Sequence, residues 1–167
     1  MKRILAAVLA LTFLTPSPAF AHQPVFLENT DTTPAKGPLL VDGTVSFAVQ
    51  ASFTKAGQTK AFRAALKVGD KLAVQYLIMD KRPSNRLTKS QLPQLTITAP
   101  DGKKIVMKFT ERTPFYEKYS GTNYFYLSRY DAPAKEGIYS FTLTSRAKSS
   151  VTIAVGEKEI FGDVVRG

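Results

Sequence analysis

Residues 44–53 read TVSFAVQASF, and every second residue of this segment is apolar. Successive side chains of a β-strand point to opposite faces, so the odd-numbered residues would all share one face. These residues are Val45, Phe47, Val49, Ala51 and Phe53. The other face would carry small or polar residues. The segment therefore predicts a strand with one side in a hydrophobic core and the other side toward water.

The same two-residue period recurs along the chain, in segments 61–67, 72–79, 95–98, 105–109, 139–144 and 151–155. Turn-forming residues separate these segments, and Pro100-Asp101-Gly102 between two of them is the clearest hairpin signal. About eight short strands at such spacing are typical of an antiparallel β-sandwich or barrel. We expect an all-β sandwich of the jelly-roll or immunoglobulin-like type over residues 39–167.

The first 21 residues have the layout of a secretory signal peptide. Lys2 and Arg3 precede an apolar run at 4–14, and Ala19-Phe20-Ala21 supplies small residues before a cleavage site. The apolar run is too short for a membrane-spanning helix, which needs roughly 20 residues. We therefore expect a secreted or periplasmic protein that begins at His22 and has no membrane span after cleavage. Residues 22–38 contain three prolines and no period, which indicates an extended N-terminal arm.

The composition excludes several classes of protein. The chain has no cysteine and one histidine, so it has no disulfide framework, no thiolate metal site and no cysteine nucleophile. Removing the leader takes two of the 23 basic residues, leaving 21 against 13 acidic ones, or +8. These basic residues are scattered, whereas a nucleic-acid footprint needs a clustered stripe. We expect a basic, well-solvated surface and no nucleic-acid partner.

Residues 50–77 (QASFTKAGQTKAFRAALKVGDKLAVQYL) contain a strand, a glycine turn, an aromatic-bearing strand, a Gly-Asp turn and another strand. This stretch resembles the opening of bacterial prepeptidase C-terminal domains, and the later segment 137–141 (GIYSF) resembles their Gly-x-Tyr strand. Those domains are small secreted β-sandwiches that serve as accessory or binding modules, and the resemblance implies the same for this chain. The stretch ending at Tyr139 is also similar to the tyrosine corner of immunoglobulin-like sandwiches.

The segment 109–130 holds eight aromatic residues with basic residues between them. We expect residues 113–122 to form a long connection, because Glu117 and Ser120-Gly121 interrupt the pattern there. Exposed tyrosines on a loop suit sugar rings or a protein interface, and the candidate ligand-binding residues are Arg112, Tyr116 and Tyr119. The alternative is that most of these aromatic rings fill the core.

His22 is the candidate metal ligand. At the start of the mature chain it would carry a free amine and an imidazole, which together can chelate copper. The alternative is an incidental histidine at a flexible N-terminus, with no cofactor. No nucleophile elbow, phosphate loop or metal-spaced cluster occurs in the sequence, so we expect no catalytic residues.

These observations predict an exported, non-catalytic binding or accessory module. Its partner would be a polysaccharide or another exported protein, contacted through the aromatic loop and the basic face. An exported copper-binding protein that uses His22 is the alternative.

Overall fold

The computed structural model describes residues 22–166, which form two six-stranded β-sheets. The first sheet has the order β1 (Gln23–Phe26), β3 (Phe47–Phe53), β11 (Ser149–Val155), β5 (Lys71–Met79), β9 (Thr122–Pro133), β8 (Thr113–Glu117). The second has the order β12 (Val164–Val165), β2 (Leu39–Leu40), β4 (Thr59–Leu66), β10 (Gly137–Thr144), β6 (Gln94–Thr98), β7 (Lys104–Val106). A short 3-10 helix, Ser84–Arg86, is the one helical element of the described chain.

The predicted all-β sandwich is confirmed, with more strands than the eight expected. Three of the four additional strands, β1, β2 and β12, have two to four residues each, too few for a two-residue period to be visible. The fourth is β8. The sheets are also mixed rather than purely antiparallel, since β1 pairs with β3 and β2 with β4 in parallel. Two short N-terminal strands are responsible, because residues 23–26 add β1 to the first sheet and residues 39–40 add β2 to the second. The predicted leader, residues 1–21, lies outside the described residues.

The core lies between the two sheets and is built from the inward positions that the alternation predicts. Phe47, Val49 and Ala51 of β3 are buried. On the second sheet the rings of Phe62 and Phe141 stack with centroids 4.4 Å apart. Such a stacked aromatic pair adds to the apolar area that each ring buries.

Two buried tyrosines of the sandwich have hydrogen-bond partners for their hydroxyl groups. The buried hydroxyl of Tyr76 donates a hydrogen bond to the carbonyl oxygen of Pro93 at 2.9 Å, and burial raises the pKa of this phenol. The hydroxyl of Tyr139 accepts a hydrogen bond from the backbone N–H of Lys135 at 2.8 Å, which fixes the loop before β10 as in a tyrosine corner.

The two ends of the described chain meet beside β1. The side chain of Gln23 makes two hydrogen bonds with the backbone of Gly162, each 2.9 Å long. Arg166 donates to the carbonyl oxygen of Phe26 at 2.6 Å and to the buried carboxylate of Asp31 at 3.1 Å. The C-terminal segment thus holds β1 against the rest of the first sheet.

The stacked pair predicts a large loss of stability for Phe141→Ala. Removing a fully buried ring leaves a cavity that the two sheets cannot close, so the free energy of unfolding should fall by about 3–5 kcal/mol. Thr142→Ala, on the outer side of the same strand, should cost less than about 1 kcal/mol. Urea unfolding followed by circular dichroism compares the two, and equal losses would contradict this packing.

Candidate functional site: the concave outer face of the first sheet

The first sheet is strongly curled. A single cavity of about 250 Å³ touches both of its edge strands, at Pro24 of β1 and at Phe115 and Glu117 of β8. In a flat six-stranded sheet these edges would stand about 24 Å apart, at five spacings of roughly 4.8 Å. The outer face of this sheet, which points away from the core, is therefore concave. We call this hollow the cleft.

The floor of the cleft is made by outward positions of the three central strands. Ala48 and Gln50 lie on β3, Thr152 and Ala154 on β11, and Leu77 on β5. Their sequence neighbours point into the core, so alternation places all five on the outer side. The small alanine side chains leave room above the sheet.

The walls of the cleft come from the two edges. The hairpin of β8 and β9 supplies Phe115, Tyr119 and Tyr124, and the start of β1 supplies His22 and Pro24. Phe115 and Tyr124 are directly opposite each other in the β8–β9 pairing, so both face the same side. The cleft therefore has aromatic rings on one side and an imidazole and a proline ring on the other.

The predicted long connection at residues 113–122 is wrong, because residues 113–117 form β8 and pair with β9. A short turn joins the two strands, and its Gly121 has a φ of 66°, which glycine adopts without strain. The Glu117 carboxylate accepts hydrogen bonds from the backbone N–H groups of Tyr119 at 2.9 Å and Ser120 at 2.7 Å. These bonds fix the backbone that carries Tyr119.

His22 precedes β1 and Glu117 ends β8, the two edge strands of the first sheet. Their side chains nevertheless interact electrostatically across the cleft. The imidazole Nδ1 is hydrogen-bonded to the hydroxyl of Ser46. Burial lowers the pKa of His22, and the carboxylates of Glu117 and Glu159 oppose part of this shift. Burial would raise the pKa of Glu117, but its hydrogen bonds with Ser120 and Tyr119 outweigh this and lower it overall. The cleft thus favours a neutral imidazole facing an ionised carboxylate.

A second cavity, of about 330 Å³, continues the cleft toward one end of the strands. It begins two residues further along the floor, at Ser46 and Gln75. Three acidic residues line it together with Lys118, namely Glu117, Glu157 and Glu159. Glu157 pairs with Lys71 at 2.6 Å. We call it the acidic end.

The structure brings together two of the three predicted ligand-binding residues. Tyr116 and Tyr119 both line the acidic end, Tyr119 also lines the cleft, and the two residues are 59% and 49% exposed. Arg112 lies elsewhere: its guanidinium stacks on the Phe125 ring at 4.3 Å and donates to the carbonyl oxygen of Asn85 at 2.8 Å. These contacts attach the start of β8 to the 3-10 helix.

The alternative, that the aromatic rings of 109–130 fill the core, holds for some of them. Phe109, Phe125 and Tyr130 pack against the core. Phe115, Glu117 and Tyr124 also line the cleft and were not among the predicted site residues. The sequence contains one indication of the cleft. Ala48, Leu77 and Ala154 are apolar at outward positions, where a solvent-exposed strand face usually carries polar side chains.

The predicted copper site at His22 stays a prediction. A chelate with the residue's own amine would use Nδ1, the ring nitrogen that Ser46 engages here. Among residues 22–166 no group of three or more histidine, cysteine, aspartate or glutamate side chains is arranged to hold a metal ion.

Comparison with known proteins gives no family for this chain. No protein-family model matches it, and no curated protein matches it in sequence. The resemblance to prepeptidase C-terminal domains therefore stays a prediction. Across residues 22–166, no helix has the length and hydrophobicity needed to cross a bilayer.

The cleft predicts the titration of the single imidazole. The pKa of His22 should lie below its ordinary 6.5, and Glu117→Gln should lower it further, because the substitution removes a carboxylate that favours the charged ring. Since the unfolded chain binds this proton more tightly, the free energy of unfolding should fall as the pH drops below about 6.5.

Proton NMR of the imidazole measures the pKa directly. Glu136→Gln, in an exposed turn, serves as the matched control and should leave it unchanged. An imidazole pKa above 6.5 would contradict the dominance of burial over the nearby carboxylates. Equal shifts with the two substitutions would show that His22 and Glu117 do not interact across the cleft.

Proposed function

We propose that this protein is an exported, non-catalytic binding module whose ligand is a polysaccharide chain bound in the cleft. The observation that supports this most directly is the cleft itself. It combines three aromatic rings on one wall with hydrogen-bonding side chains on its floor and rim, namely Gln50, Thr152, His22 and Glu117.

A sugar ring matches this combination of groups. It presents a face of C–H bonds, which packs on an aromatic ring, and a rim of hydroxyl groups, which need hydrogen-bond partners. Tyrosine serves both needs through its ring and its hydroxyl. A mostly apolar cavity with a few polar groups is also the usual form of a small-ligand site.

The shape favours a chain-like ligand over a second folded protein. A stable protein–protein interface buries about 800 Å² on each partner, and these surfaces are broad. The cleft is instead a hollow of about 250 Å³ that continues into a neighbouring cavity along the strands. A flexible chain fits such a groove one unit at a time. The alternative partner is another exported protein, and the binding test below distinguishes this alternative from a polysaccharide.

Tyr119→Ala should weaken binding to an immobilised polysaccharide on the order of tenfold, because the substitution removes one of the three aromatic rings of the cleft wall. Surface plasmon resonance on dextran, xylan, alginate and dextran sulfate surfaces measures this. Ile138→Ala is the control, since this side chain is exposed on the second sheet. Wild-type protein that binds none of these surfaces, or that loses nothing with Tyr119→Ala, would contradict the proposal.

The export half of the proposal predicts one processing site. The exported protein should begin at His22, as read by intact-mass spectrometry of the secreted or periplasmic fraction. Ala21→Tyr should block cleavage, because the site requires a small residue at this position, and the precursor should accumulate. Full-length protein in that fraction, or a wild-type chain found only in the cytoplasm, would argue against export.

A further inference from the structure

A third cavity, of about 300 Å³, lies at the end of the cleft opposite the acidic end. We call the cleft together with the cavities at its two ends the groove. Its lining includes Ser52, Ser150 and Met79. Each of these residues is two positions beyond a floor residue of the cleft on the same strand: Gln50 on β3, Thr152 on β11 and Leu77 on β5. Two residues of a strand span about 7 Å, so this cavity adjoins the cleft on the same outer face.

This cavity is lined by three cationic side chains and no carboxylate. Lys81 and Arg82 come from the loop after β5, and Lys148 comes from the turn before β11. None of the three forms an ion pair with any carboxylate of residues 22–166. Folding thus brings unneutralised positive charges from two separate segments around one hollow.

Hydroxyl groups lie beside these charges. The Oγ atoms of Ser52 and Ser150 are 2.9 Å apart, paired across β3 and β11 on the outer face. One proton joins the two oxygens, so the second hydroxyl proton is available to a ligand. Ammonium, guanidinium and hydroxyl donors converging on a hollow are the groups that bind carboxylate, sulfate or phosphate oxygens.

We infer that this basic cavity binds an anionic group on the ligand of the cleft. The inference rests on the proposed function and specifies it: the polysaccharide is acidic, with a carboxylate, sulfate or phosphate on a unit beyond the one held by Tyr119, at the Ser52 and Ser150 end. The acidic end carries the carboxylates of Glu117, Glu157 and Glu159 against the cations of Lys118 and Lys71, so its net charge is negative and it disfavours the same group. The charges at the two ends of the groove therefore fix the direction in which the chain lies.

The test compares two triple variants that lose the same net charge. Lys81→Gln/Arg82→Gln/Lys148→Gln removes the cations of the basic cavity. Lys103→Gln/Lys104→Gln/Lys108→Gln removes three exposed cations beside the second sheet and serves as the matched control. Circular dichroism and thermal unfolding establish that both variants are folded.

Surface plasmon resonance on alginate and dextran sulfate should show binding at least about tenfold weaker for the cavity variant, since each lost contact is a charged hydrogen bond. The control variant should change by less than about threefold. Equal losses in the two variants would overturn the inference, because they would mean attraction to net charge alone. The fall in affinity with added salt should also be steeper for the wild type than for the cavity variant.

Tyr119→Ala separates this inference from the proposed function. If Tyr119→Ala loses binding and the cavity variant keeps it, the cleft binds the polysaccharide and the inference is wrong. If only the cavity variant loses binding, the anion site stands and the aromatic cleft is not the binding site.

Titration with inorganic sulfate tests the cavity independently of any polysaccharide. The backbone amide signals of Ser52 and Ser150 should shift in the wild type and in the control variant, but not in the cavity variant. Signals that stay unshifted in the wild type would overturn the inference.

Discussion

Burial of one face of β3 in the core leaves small side chains on its outer face, and another part of the chain has to cover that face. Phe47, Val49 and Phe53 fill the space between the sheets, and this leaves Ala48, Gln50 and Ser52 on the outside. Alanine and serine side chains are too short to cover the neighbouring apolar surface. The hairpin of β8 and β9 provides this cover by bending over the sheet, and Leu77, although it lies on the outer face, is only 4% exposed.

The bend itself has an identifiable cause. The pairing of β5 with β9 shifts register between Tyr76 and Leu77, and such a β-bulge bends a strand and increases its twist. The second half of β5 and the first half of β9 follow this shift, and the same region carries Tyr124 and the turn to β8. The cleft is therefore a product of backbone geometry as much as of the side chains that line it.

The sequence predicted the sandwich because its long strands each bury one face, and a two-residue period records that directly. It did not predict β1 or β12, since pairing over such short stretches depends on distant parts of the chain. Tyr116 and Tyr119 are exposed on the hairpin, as a binding role requires. Their closeness to His22 could not be read from the sequence, because it depends on the parallel pairing of β1 with β3 and on the curl of the sheet. Arg112 was a predicted ligand-binding residue, but its guanidinium stacks on the Phe125 ring and donates a hydrogen bond to the carbonyl oxygen of Asn85.

The hydrogen bonds between Gln23 and Gly162 join two residues that are far apart in sequence. The chain has no cysteine, so these hydrogen bonds, and not a disulfide, connect the two ends of the described residues. Because β1 carries Pro24 and follows His22, the C-terminal segment supports that wall of the cleft, together with the pairing of β1 with β3. The last residues of the described chain therefore help to shape the cleft although none of them lines it.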